Sequence, residues 1–385
     1  MLKRLCRLPP RRSALLLGPR QTGKSTLVRS LLPRRSWSVD LLRHDVFLRY
    51  SKEPERFRLE AEAQIRAGVR VVFVDEIQRV PGLLEEIHGL IETHRIRFLL
   101  TGSSARRLRR GAANLLAGRA ATRRLHPLTL AEQGEWFDLE RTLRYGSLPA
   151  VVTGSARDAR DLLASYAETY LREEVQAEAL VRNLGGFARF LDVVAAENGG
   201  IVNASAVARD AALAPRTVQE YYQILEDTLI GLRIEPWRHS PRARLVGHPR
   251  FYLFDTGVTN ALARRLGAPP DPVWRGRLFE QWVVLECARL LDYRQAEARL
   301  YYWRTHSGAE VDLLIERHGR LRLAVEIKAK RTVVGADLSG LRSFAEAHPR
   351  VRRLVVAEVA EPYRLGQVDV LPYRSFFERL PRMIG

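Results

Sequence analysis

Eight consecutive residues, Gly18-Pro19-Arg20-Gln21-Thr22-Gly23-Lys24-Ser25, satisfy the spacing G-x-x-x-x-G-K-[ST] of a phosphate-binding loop. The glycines let the backbone curl so that successive N–H groups face phosphate oxygens. The helix that follows adds its partial positive charge. Lys24 is placed to reach the β- and γ-phosphates, the Ser25 hydroxyl to ligate Mg²⁺, and Thr26 to open the helix behind them. The ligands implied are ATP and Mg²⁺.

A second group of residues completes that chemistry. Val71-Val72-Phe73-Val74-Asp75-Glu76 is an apolar run ending in two carboxylates. Asp75 would hold Mg²⁺, and Glu76 would orient or deprotonate the attacking water. A second apolar strand ends Phe98-Leu99-Leu100-Thr101-Gly102-Ser103-Ser104, whose hydroxyls, that of Ser103 among them, would sit near the γ-phosphate and sense its loss. Arg119 is a candidate for stabilising γ-phosphate charge, within the chain or across a subunit interface; an ordinary surface arginine is the alternative. The Arg106-Arg107-Leu108-Arg109-Arg110 cluster suits a nucleic-acid backbone or a solvated face.

A third group lies far downstream. In Gly308–Ile315, alternation predicts that Glu310, Asp312 and Leu314 share one face and Val311, Leu313 and Ile315 the other. After a turn at Arg317–Arg320, Leu321–Lys328 sends Leu321, Leu323, Val325 and Ile327 one way and Glu326 and Lys328 the other. A hairpin then places Asp312 beside Glu326 and Lys328, a set able to hold Mg²⁺ for phosphodiester cleavage. Glu280 sits on an apolar helical stretch with Val283, Val284 and Cys287. From spacing alone, a solvated row of charges describes this set better than a site does.

The scaffold for these residues is legible in the pattern of the chain. Residues 1–125 alternate short apolar runs (Ala14–Leu17, Ser36–Asp40, Val69–Val74, Ile96–Thr101) with helical stretches, which predicts a parallel α/β sheet. Residues 155–200 read as helical and polar, with an Arg172-Glu173-Glu174 cluster. Helix Ala204–Ala211, a turn, helix Pro215–Asp227 and strand Leu229–Trp237 outline a winged helix. The basic stretch Arg238–Arg244 would be its wing, and Arg216 is the one cation on the proposed recognition helix. Helix Arg275–Leu291 precedes strands Leu300–Trp303, Ala309–Ile315, Leu321–Ala329 and Arg353–Val359.

Bulk properties set the class. At 385 residues, with 46% hydrophobic and 28% charged residues, the chain predicts two or three soluble domains. It has no 18-residue apolar run and only Cys6 and Cys287, so neither a membrane span nor a disulfide framework is expected, and a cytoplasmic location follows. The basic start reads as the approach to a buried strand and not as a secretory segment. The net charge is +19; residues 1–150 hold 29 basic against 15 acidic residues, so most of the excess lies there. A polyanion partner is expected, with DNA favoured. Only five of the 63 basic residues are Lys, and Lys24 and Lys328 are two of them, where a compact ammonium suits the chemistry better than a planar fork.

Taken together the chain resembles a bacterial and archaeal family of AAA-type P-loop ATPases with a C-terminal domain of unknown function. The resemblance rests on Gly18–Ser25, Val71–Glu76, Leu99–Ala105, Leu116–Arg119, His126–Leu128, Tyr145–Pro149, Phe254–Gly257, Gly276–Glu280, Tyr302–Thr305 and Glu310–Asp312. It implies an ATPase core (1–150), a helical lid or linker (151–200), a winged-helix-like segment (201–249) and a restriction-endonuclease-like α/β domain (250–385). In that last fold's pattern the helix Glu matches Glu280, the strand Asp matches Asp312, and the Glu-x-Lys matches Glu326 and Lys328. The function implied is a Mg²⁺-dependent ATPase coupled to a DNA-binding, nuclease-like module, with a homo-oligomer as one arrangement. The rival is a slow nucleotide-operated switch with a protein partner and a non-catalytic nuclease-like scaffold.

Overall fold

The structure is a computed structural model that describes residues 2–103, 116, 118–170, 183–237 and 247–385. The Arg106–Arg110 cluster, the Arg172-Glu173-Glu174 cluster and the basic stretch Arg238–Arg244 lie outside the described residues. The chain divides into two compact units, Met1–Leu128 with Gln223–Ile230, and Thr129–Tyr222 with Gly231–Gly385.

In the first unit, five strands form one parallel sheet: β1 (Ser13–Leu17), β2 (Ser36–Asp40), β3 (Val71–Asp75), β4 (Arg97–Gly102) and β5 (Ala120–Arg124), in the order β2-β3-β4-β1-β5. Every residue of β1 and β3 is buried, which is why these strands are apolar throughout. The edge strands β2 and β5 keep polar residues because one side of each ladder faces outward. That mixed composition is also why β5 is not legible in the sequence as a strand. Helices α1 (Lys24–Ser30), α2 (His44–Lys52), α3 (Pro54–Arg66) and α4 (Leu83–His94) connect the strands, and α3 opens on a proline at its first turn. Leaving β1, the chain crosses past two strands to reach β2, while β4 comes back beside β1. The strand order therefore reverses at the carboxyl end of β1, where α/β sheets hold ligands.

The second unit is built on an eight-stranded mixed sheet in the order β12-β13-β11-β10-β9-β8-β6-β7. Its strands are β6 (Gly231–Pro236), β7 (Arg250–Leu253), β8 (Ala298–Arg304), β9 (Glu310–Arg317), β10 (Arg320–Lys328), β11 (Arg352–Ala357), β12 (Tyr363–Leu365) and β13 (Val368–Pro372). Helices Ala204–Asp210 and Pro215–Asp227 precede β6. The β6–β7 hairpin is not a free-standing wing: Glu235 and Pro236 pair with Tyr301 and Tyr302, which carries the hairpin onto the edge of the C-terminal sheet. The helix Pro272–Arg294 covers one face, capped by Asp271 through the N–H groups of Val273 and Trp274. Its Leu278, Phe279, Trp282 and Val283 pack with Leu313, Ile315, Leu323 and Val325. Helix Ser339–Ala347 covers the other face with Leu341 and Phe344.

Two of the sequence motifs turn out to be one packing joint. Asp255 is fully buried; its carboxylate accepts from Ser147 N at 2.7 Å and from Gly257 N at 2.9 Å. A Cβ on Gly257 would lie 2.0 Å from the Tyr145 carbonyl oxygen. Phe254–Gly257 and Tyr145–Pro149 are thus tied to each other.

The alternation expected along β9 is corrected by the structure. Val311 and Leu314 pack in the core beside Phe344, while Leu313 and Ile315 pack under the long helix. The register between β8 and β9 slips between Tyr301 and Trp303, so one residue of β8 faces two of β9 and strict period-two facing is lost there. A slip between Leu321 and Leu323 similarly separates these two leucines into different cores.

Candidate nucleotide site and acidic cluster

The loop Gly18–Ser25 leaves the carboxyl end of β1. Gly18 N–H donates to Gly102 O of β4 at 3.2 Å. A Cβ at Gly18 would lie 2.3 Å from the Leu125 carbonyl oxygen, so only glycine fits. Gln21 and Gly23 take positive φ values of 63° and 88°, which bends the loop back before α1 begins. Thr22 Oγ1 donates to Pro19 O at 2.9 Å. Lys24 Nζ donates to Gly18 O at 2.8 Å and Pro19 O at 3.0 Å, so its ammonium folds back over the loop's own entry.

Asp75 ends β3 and is 1% exposed. Its Oδ1 accepts from Ser25 Oγ at 2.8 Å and from Thr101 Oγ1 at 2.5 Å. Its Oδ2 lies 3.5 Å from Arg29 Nη2. The structure therefore brings together the loop, Ser25, Asp75 and the end of β4. A hydroxyl and a carboxylate oxygen this close are the hard oxygen donors that Mg²⁺ prefers, so Ser25 and Asp75 fit the ion.

Glu76 follows in the left-handed region at φ 59°, an unfavourable conformation for a side-chain-bearing residue. Its N–H donates to Thr101 Oγ1 at 3.1 Å, which holds the turn. Gln78 Nε2 donates both to Glu76 Oε2 and, at 2.9 Å, to Ser103 Oγ. Glu76 and Ser103 are thus joined through a buried amide that sequence reasoning missed, as it missed Arg29. Thr101 was legible in outline, as a hydroxyl at the end of an apolar strand; Gln78 and Arg29 carried no spacing signal.

Arg119 is not brought to this group. It directly precedes β5, whose first residue pairs with the start of β1, and its Nε bonds Glu92 at the end of α4. A five-residue strand separates it from the loop by about 16 Å.

The downstream residues do converge. Glu280 Oε1 accepts from Arg250 Nη1 at 2.9 Å and Tyr252 OH at 2.7 Å. Asp312 Oδ1 lies 3.8 Å from Arg250 Nη1, and its Oδ2 accepts from Ile327 N at 2.8 Å. Arg250 Nη2 also pairs with Glu310. Lys328 Nζ donates to Glu326 Oε1 at 2.7 Å. Loss of water, and then the Asp312 charge, push the carboxyls of Glu280 and Glu326 upward, Glu326 to about 8. Arg250 and Tyr252 escaped sequence reasoning because neither shares a motif with the acids they hold. Arg216 is exposed and lies 3.4 Å from Glu220, one turn further along its own helix.

Three family models match successive stretches of the chain. Residues 10–133 match the family described as AAA domain. The chain carries an AAA domain and a C-terminal domain of unknown function. The AAA domain holds the loop, Asp75, Glu76, Gln78 and Arg119. Residues 137–269 match Domain of unknown function (DUF8612), which contains Arg250 and Tyr252. Residues 275–376 match Domain of unknown function (DUF4143), which contains Glu280, Asp312, Glu326 and Lys328. An uncharacterized protein of Mycobacterium tuberculosis is 28% identical over 315 residues, covering 80% of this chain and 68% of that protein, and one from Mycobacterium bovis matches equally. An uncharacterized protein of Haemophilus influenzae is 20% identical over 279 residues, 66% of this chain and 70% of that one. Among solved structures, the Aeropyrum pernix ORC1 protein in complex with DNA covers 66% of this chain and 86% of its own at 16% identity and a TM-score of 0.27, a likeness too slight to argue from. Among the described residues no helix is long and apolar enough to cross a membrane.

Proposed function

We propose that this protein binds ATP at Gly18–Thr26 and hydrolyses it, and that the AAA domain is coupled to a DNA-binding C-terminal module. The observation that carries the ATPase reading is the meeting of Ser25, Thr101 and Asp75 at one carboxylate oxygen beneath the loop, with Glu76 on the next residue. Ser25 and Asp75 would hold Mg²⁺, which would neutralise phosphate charge when bound. Loop N–H groups bind and orient the phosphates. Lys24, once released from Gly18 O and Pro19 O, turns its ammonium to them. Glu76 takes the proton of the attacking water once its carboxylate leaves the Gln78 amide, which also bonds Ser103. Arg119 would serve a neighbouring subunit's nucleotide, given its distance from its own loop. A DNA partner is supported by the chain's net charge of +19; residues 1–150 carry +14 of it, so the AAA domain would share the phosphate contacts with the C-terminal module.

The test is ATP hydrolysis by the full chain with and without single-stranded, duplex and branched DNA, against Lys24→Ala. Stimulation by one of these DNAs, lost in the variant, is the expected result. A slow rate indifferent to all three would leave the second reading, a nucleotide switch with a protein partner. That reading is favoured by one observation: the Glu76 carboxylate is already held by the Gln78 amide.

A further inference from the structure

The acids Glu280, Asp312 and Glu326 occupy the positions from which a restriction-endonuclease-like domain would hold a divalent cation. In this structure a cation of the protein's own already stands among those acids. A hard cation needs several carboxylate oxygens free to converge on one point. Glu280 Oε1 is taken by Arg250 and Tyr252; Asp312 Oδ2 is taken by the Ile327 N–H; Glu326 Oε1 is taken by Lys328. Glu310 pairs with Arg250 through Oε1 and lies 3.6 Å from Arg304 through Oε2. One oxygen of each acid is engaged in this way; of the others, Asp312 Oδ1 lies 3.8 Å from Arg250 Nη1 and Glu326 Oε2 is buried without a hydrogen-bond partner. Among the described residues, no three His, Cys, Asp or Glu gather as a metal site would require.

The reason is a cation already in place. The Arg250 side chain is 7% exposed and its guanidinium carbon lies 5.1 Å from the centre of the Tyr302 ring. From there its two terminal nitrogens face Glu280, Glu310 and Asp312 together. A divalent ion on the same carboxylates would sit against a like charge. We infer that Arg250 is the resident counter-ion of this cluster, and that the cluster works as an internal ionic latch and not as a metal-dependent cleavage site. The latch fastens the first residue of β7 to the long helix and to β9, three elements that neighbouring sheet hydrogen bonds do not connect. It also spans two of the matched families, since Arg250 lies in the middle segment and its acidic partners lie in the C-terminal one. The inference does not depend on the ATPase reading.

The test is Mn²⁺ binding to the nucleotide-free full chain, followed by electron paramagnetic resonance, beside Asp312→Asn. The latch predicts that up to about 1 mM Mn²⁺, the Kd of a weak oxygen-ligated site, no bound ion is seen that the variant removes. Sub-millimolar binding lost in Asp312→Asn would overturn it. Arg250→Gln is the companion variant. It strips the cluster of its cation, so thermal unfolding should move down by about 10 °C; an unchanged midpoint would also overturn the latch. Should Arg250→Gln fail to fold, the wild-type titration still decides.

Discussion

Glu76 and Gln78 make the sharpest case at the scale of single residues. In the proposed reaction the Glu76 carboxylate would activate water, and a buried amide two residues on already bonds it. Replacing Glu76 with Gln should lower the turnover number by about 10²–10⁴-fold while nucleotide still binds, the span usual for loss of a general base. Replacing Gln78 with Ala should free the carboxylate and raise the basal rate several-fold with little change in KM. Steady-state hydrolysis on both variants checks the pair; a Gln78→Ala enzyme slower than wild type would mean that the amide positions Glu76 for attack and does not restrain it. The strained left-handed backbone at Glu76 belongs to the same account, because Thr101 holds it at a place where an unstrained turn would aim the side chain elsewhere.

Two elements carry predictions of their own. The helix Thr256–Leu262 packs so closely on Tyr145 that a methyl group at Gly257 has no room. Gly257→Ala should therefore cost about 1–3 kcal/mol, read as a lower denaturant midpoint, whereas Gly276→Ala, with open space around it, should not. On the long helix Pro272–Arg294, burial pushes the Glu286 carboxyl up to about 7 from 4.5, against the opposing pull of Arg289 and the Leu130 N–H. A carboxyl raised on folding holds its proton longer in the native state, so the native state binds more protons between those two values. Stability then falls as pH rises from 4.5 to 7 and stays lowered above, by roughly 3 kcal/mol at most. Glu286→Gln should flatten urea stability across that window and raise it at pH 8. An unchanged slope would show that Glu286 is ionised at little cost.

For the whole molecule, charge is the quantity that counts. If the +19 chain binds DNA through its phosphates, affinity should fall steeply with salt. Six contacts would cost about 10³-fold between 50 and 200 mM. Fluorescence anisotropy on a labelled duplex measures this, and salt-indifferent binding would set the phosphate reading aside. Sequence-specific reading by the helix Pro215–Asp227 gains no support from Arg216, which lies against Glu220.

The phosphate loop, the carboxylate pair behind it and the buried strands that carry them are all written in the order of residues. Each of these is a local matter: spacing fixes the loop, and strands covered on both faces must be apolar along their whole length. The likeness of Glu280, Asp312, Glu326 and Lys328 to a known pattern was legible too. Other features exist only once the chain is packed. Edge strand β5 has no apolar signature because only part of it is covered. The facing of residues along β9 depends on a register slip set by a neighbouring strand. Gln78 meets Ser103, and Arg250 meets three acids from two other elements, because side chains distant in sequence are packed into shared volumes. Long-range pairing leaves no period in the chain, so no reading of spacing could have found those partners.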